Sequence, residues 1–133
     1  MSLRLVAGSK VTVSLKGLSA LCTSGGNLSW KLYLFRDTVA TTAIPGANFV
    51  AAAPGSAAEY DTSATAINTA GATLIDAGFM TSSNDLVSVE YTGSNNTFLT
   101  VNIAGLSDIM TWAMQSTGPG ENVARSIVWK EVY

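Results

Sequence analysis

A chain of 133 residues has room for one hydrophobic core and not for two. Only 12% of those residues are charged, about half the usual quarter of a soluble domain, and a net charge of −2 with seven scattered basic residues offers no stripe for nucleic acid. The absence of histidine and the single cysteine, Cys22, exclude a disulfide framework, the usual zinc ligand sets and the commonest general base.

Residues 1–9 read as a short N-terminal arm. Leu3 and Leu5 alternate with Arg4 and Val6 before Gly8-Ser9, a pattern suited to pairing at a sheet edge or reaching a neighbour. Lys10 to Lys16 predicts a strand with Val11, Val13 and Leu15 on one face. Gly17 to Asn27 then reads as a connection with a Gly25-Gly26 turn, and Cys22 within it as a small buried or half-buried residue. Leu28 to Arg36 is the next expected strand. Leu28, Trp30, Leu32 and Leu34 take the core face, and Ser29, Lys31, Tyr33 and Phe35 the other. Two aromatics on that second face need a cover, either a segment of the same chain or another protein.

Residues 37–72 are poor in charge and rich in Ala, Thr and Gly, with Pro45 and Pro54 inside. No apolar stripe of helical period runs through them, which excludes a long helix and leaves short strands near Asn48–Ala52 and Ala64–Asn68. Strands are expected again at Thr73–Met80, Leu86–Tyr91, Phe98–Ile103, Ile109–Ser116 and Val123–Tyr133. The breaks between the last four are Gly93-Ser94-Asn95-Asn96, Gly105–Asp108 and Thr117-Gly118-Pro119-Gly120. Trp112 between Met110 and Met114 reads as packing. The last strand carries Val128 and Val132 on one face and Arg125, Ile127, Trp129, Glu131 and Tyr133 on the other. Apolar residues on both faces mean cover on both sides.

Eight or nine short strands make an all-β chain, an antiparallel two-sheet sandwich. A jelly roll of about eight strands is preferred over an immunoglobulin-like sandwich, with residues 10–133 as its one domain. The chemistry of catalysis is missing. Glu59 and Asp61 flank Tyr60 and would share a strand face, but nothing sets them across a cleft. The serine-glycine clusters are turn material, no calcium loop or P-loop occurs, and no catalytic, cofactor-binding or metal residue is named. The longest apolar run is far short of a membrane span, and Met1-Ser2-Leu3-Arg4 does not open a signal peptide, so a soluble product made in the cytoplasm is expected.

Beyond Tyr60-Asp61 come Thr73-Leu74-Ile75-Asp76-Ala77-Gly78-Phe79-Met80, then Leu106-Ser107-Asp108-Ile109-Met110-Thr111-Trp112-Ala113, then Ala124-Arg125-Ser126-Ile127-Val128-Trp129-Lys130-Glu131-Val132-Tyr133. Over roughly residues 55–133 this order resembles the jelly-roll cement (decoration) proteins of short-tailed bacteriophage capsids. The resemblance implies a non-enzymatic virion protein on the capsid exterior, a homodimer or trimer that clamps neighbouring major capsid subunits. It implies no cofactor, nucleic acid, membrane or small-molecule substrate. The expected contact residues are Met1, Leu3 and Leu5 on the arm, Tyr33 and Phe35, and Ile127, Trp129 and Tyr133. Related sandwiches occur in tail fibres, so the alternatives are an appendage domain that binds host-surface carbohydrate and a monomeric cellular β-sandwich.

Overall fold

The computed structural model describes residues 1–25, 27–81, 83–92, 97–116, 118 and 121–133. Gly26, the Gly93–Asn96 break and all of the Thr117–Gly120 loop except Gly118 lie outside the described residues. The chain forms β1 (Ser2–Leu5), β2 (Thr12–Ser24), β3 (Leu28–Phe35), helix α1 (Asp37–Ala43), β4 (Val50–Ala51) and β5 (Ala58–Asp61). There follow β6 (Thr73–Met80), β7 (Leu86–Glu90), β8 (Phe98–Leu99), β9 (Ile109–Ser116) and β10 (Asn122–Val132). Every pairing between these strands is antiparallel. Sheet A has the order β4-β5-β1-β9-β3-β6; sheet B has β10-β2-β7, with β8 also paired to β2. The two-sheet sandwich expected from the alternation is the fold.

Its core lies between the sheets. Sheet A contributes Leu3, Leu5, Leu28, Trp30, Leu32, Leu34, Met110 and Trp112, and sheet B contributes Val13, Leu15, Leu18, Ala20, Cys22 and Ile127. Trp30 and Trp112 meet edge to face with centroids 6.2 Å apart. The arrangement favours contact between a positive ring edge and a negative ring face.

The alternation in β2 changes phase halfway. Val13 and Leu15 point inward, and so do Leu18, Ala20 and Cys22. An extra residue restores the register: Gly17 faces Val128, whereas Leu15 faces Trp129, leaving Lys16 as a bulge. The expected connection over Gly17–Asn27 is therefore mostly strand, hidden by one inserted residue.

The N-terminal arm is also corrected. β1 lies inside sheet A, with Leu3 opposite Tyr60 on one side and Met110 on the other. Leu3 and Leu5 are 0% exposed, which is the reason the segment is drawn in: two leucines of one face are removed from water together.

The part of the second face of sheet A that carries Tyr33 and Phe35 is covered by the chain itself, while Leu74 and Phe79 at the β6 edge stay exposed. Phe35, Ala40, Ala43 and Ile109 form a separate buried cluster, joined by Tyr33, Val39, Ile44, Phe49, Ile67 and Ala72. The expected strand at Ala64–Asn68 does not form. That segment lies on the cluster without a ladder, tied by the Asn68 N–H to the Ala43 carbonyl at 2.8 Å. Phe98–Ile103 is likewise shorter than expected, with β8 followed by a lone bridge between Val101 and Ser107.

Candidate contact surface

Each sheet has one face in the sandwich. The other face of sheet A lies partly under α1 and residues 62–72, which leave Leu74 and Phe79 on its β6 edge open, whereas the other face of sheet B leaves several large apolar side chains exposed, with Ser14 buried between Phe98 and Lys130. Its composition follows from the register. Leu86, Leu21 and Ala124 form one row across β7, β2 and β10; Ser88, Ser19 and Ser126 form the next; Glu90, Gly17 and Val128 form a third. Beyond the bulge, Phe98, Ser14 and Lys130 share a row, and Thr12 faces Val132. The rows are short, uncharged for the most part, and apolar at both ends.

Leu86 is 64% exposed, Val128 54%, Val132 46%, Phe98 42% and Leu21 38%. Five large apolar side chains on one sheet face form a patch rather than the scatter expected of any surface. The relief is shaped too. A hollow of about 490 Å³ surrounds Gly17, Ser19, Ser88, Glu90 and Val128, and a second of about 240 Å³ lies between Leu21, Leu86, Ala124 and Ser126. Small side chains form the floors and branched ones the rims, so the face can receive protruding side chains. Gly17 is tightly placed: a Cβ there would stand 3.1 Å from the Val89 carbonyl oxygen, and the backbone would have to give by a few tenths of an ångström to take it.

The eight residues expected to make contacts are mostly elsewhere. Leu3, Leu5 and Ile127 are in the central core, and Met1 and Trp129 pack against it half-buried. The Met1 amine donates to the Trp112 carbonyl at 3.1 Å; burial and then the nearby Arg125 charge lower its pKa to about 5. Phe35 is fully buried and Tyr33 half-buried under the chain's own cover. Tyr133 alone is open, 88% exposed, with its hydroxyl donating to Glu131 Oε2 at 3.0 Å. Burial within the same chain removes the side chains of Leu3, Leu5, Phe35 and Ile127 from the open surface. The large apolar residues open on the face of sheet B are instead Leu21, Leu86, Phe98, Val128 and Val132. Val128 and Val132 were legible as apolar residues on the far face of the last strand, and the signal lay there.

Both members of the acidic pair are tied into the fold. Glu59 is held by Arg4 at 2.7 Å. Asp61, 2% exposed, accepts from the backbone of Asn48, Ser63 and Ala64 and from the Ser63 hydroxyl. Burial alone would raise its pKa, but these donors outweigh burial and hold it below the usual carboxylate range. Among the described residues, no group of three His, Cys, Asp or Glu is placed to hold a metal ion. Comparisons with protein-family models, curated proteins and solved structures find no match.

Proposed function

We propose that this chain is a virion structural protein, a cement protein that lies on the outside of a phage head and clamps neighbouring major capsid subunits. The observation that carries the reading is the largely exposed, nearly uncharged face of sheet B, with hollows floored by serine and glycine. It adds to the resemblance of residues 55–133 to the cement proteins of short-tailed phages.

The physical argument starts from what such a clamp must resist. Packaged DNA strains a shell outward, and the clamp must hold whatever the ionic strength. Salt screens exposed charges beyond roughly 10 Å at 0.1 M; apolar and shape-dependent contacts are not weakened in that way. One face of ordinary interface size, about 800 Å² per partner, suffices if two are joined in one oligomer, because the second attachment is then effectively intramolecular. The carbohydrate reading draws less support. Trp30 and Trp112 are buried and Trp129 is half-buried against the core, so no open tryptophan offers a platform for a sugar ring.

The test is co-sedimentation with purified phage heads that lack their own decoration protein. Near-stoichiometric binding that persists at about 1 M salt, and is lost in Leu86→Lys and Val128→Lys variants, is the expected result. Folded protein that ignores the heads overturns the reading. So does binding that both variants retain.

A further inference from the structure

The free edges of the two sheets are not equivalent. In sheet A, β4 is two residues long, and β6 is interrupted by a bulge at Ile75 and capped where Asp76 Oδ1 accepts the Ala77 N–H at 2.8 Å. In sheet B, β7 spans five residues. Very short strands and bulges are two devices by which sheets discourage further pairing, and charged side chains on the edge are a third. The remaining edge, β10, has neither of the first two, and its charges, Arg125, Lys130 and Glu131, are of both signs. It is eleven residues long, contains no proline, and alternates regularly from Val123 to Val132, the extra residues at both register shifts falling on β2. No described backbone–backbone hydrogen bond reaches its outer side.

We propose that β10 pairs antiparallel with β10 of a second copy of this chain, about a two-fold axis at Val128, joining the two B sheets into one. The pivot follows from charge. A two-fold normal to the sheet must pass a residue paired with itself, so each position before the pivot meets the position equally far after it. With Val128 at the axis, Arg125 meets Glu131 of the second copy, Ala124 meets Val132, and Ile127 meets Trp129. Moving the pivot to Ile127 or Trp129 sets Arg125 and Glu131 against Trp, Val, Tyr or Ile instead.

Arg125 supplies the independent reason. Its guanidinium is half-buried, makes one described hydrogen bond, a long one of 3.4 Å to the Trp112 carbonyl, and belongs to neither of the described ion pairs. A desolvated cation gains most from an anion supplied at close range. Glu131 already accepts from Ser56 Oγ, the Ala57 N–H and the Tyr133 hydroxyl, yet two carboxylate oxygens offer about four acceptor sites. This inference uses the edge of β10 and does not depend on what covers the face of sheet B.

Sedimentation velocity of the full chain without heads is the first measurement. Twice the 13.8 kDa of one chain at micromolar concentration is expected; a monomer throughout that range overturns the proposal. Register is read by cross-linking. Facing residues on paired strands have Cα atoms about 4.5–5.5 Å apart, inside the range that a disulfide spans. Val128→Cys should therefore form a covalent dimer under mild oxidation. Ser126→Cys and Lys130→Cys should each stay uncross-linked alone but cross-link when mixed. A dimer in which Ser126→Cys cross-links as readily as Val128→Cys refutes the axis. Arg125→Glu should raise the dimer dissociation constant about tenfold or more by setting like charges together, and adding Glu131→Arg should reverse the loss. Val128 is 54% exposed, so its replacement leaves the core untouched. Leu86→Lys separates the two proposals, since it should abolish head binding without changing the sedimenting mass.

Discussion

Gly78 is bare because Trp30 lies on it. A Cβ at that position would stand 2.7 Å from Trp30 Cε2, Cζ2 and Nε1, and the atoms it meets belong to a buried ring set edge to face with Trp112 rather than to a flexible side-chain end. Alanine suits a strand better than glycine does, by about 0.5–1 kcal/mol, but overpacking costs more. Gly78→Ala should destabilise the chain by about 1–3 kcal/mol, read as a lower urea midpoint with an unchanged slope. Asp61 makes a different prediction. Its folded pKa lies below its unfolded value, as does that of Glu131, where the Ser56 hydroxyl is the chief cause. Their contribution to stability is therefore complete above the unfolded carboxylate value of about 4 and is lost as pH falls through the folded values. Acid unfolding below about pH 4 should follow. Asp61→Asn should cost about 2–3 kcal/mol at neutral pH, because an amide cannot accept from all of Asn48, Ser63 and Ala64, and should flatten the acid limb of the stability curve.

Among the elements, β1 is short yet central. Four residues hold together β5 and β9 and place two fully buried leucines in the core. Leu3→Ala should cost about 2–5 kcal/mol, measured by thermal unfolding, a large share of the roughly 5–15 kcal/mol that holds a domain of this kind together. The position of β1 was not legible in the sequence. Ser2-Leu3-Arg4-Leu5 shows that one face is apolar, but the flanks of a strand depend on distant partners, here residues 58–61 and 109–111. The second half of β2 was hidden for a local reason, the phase change at Lys16. What alternation does specify came through: the core face of β3, the strand characters of β6, β7, β9 and β10, and a sandwich without a long helix. The cover over Tyr33 and Phe35 was one of two readings open from sequence, and only the placement of Ile67 and Phe49 decides it. The contact face was half legible, through Val128 and Val132. Leu21 and Leu86 join them only once the β2–β7 register is known.

The whole molecule is built from partners far apart in sequence. β2 pairs with β10, and β1 with β9. Chains dominated by such non-local pairings fold slowly, on the order of milliseconds to seconds, because long loops must close before contact is rewarded. A chain ended at residue 116 lacks β10 entirely and leaves Leu15 and Leu18 without the Trp129 and Ile127 they face. It should remain unfolded, showing no strand signal by circular dichroism and no cooperative melting. The same layout bears on how the protein is made. As the polypeptide leaves the ribosome, β1 emerges first and its neighbour β9 only when most of the chain is out, while β2 waits for the final strand. Growing chains in which β9 and β10 have not yet left the ribosome should thus be sensitive to protease, and protection should arrive in one step, for both sheets together, once both strands are clear.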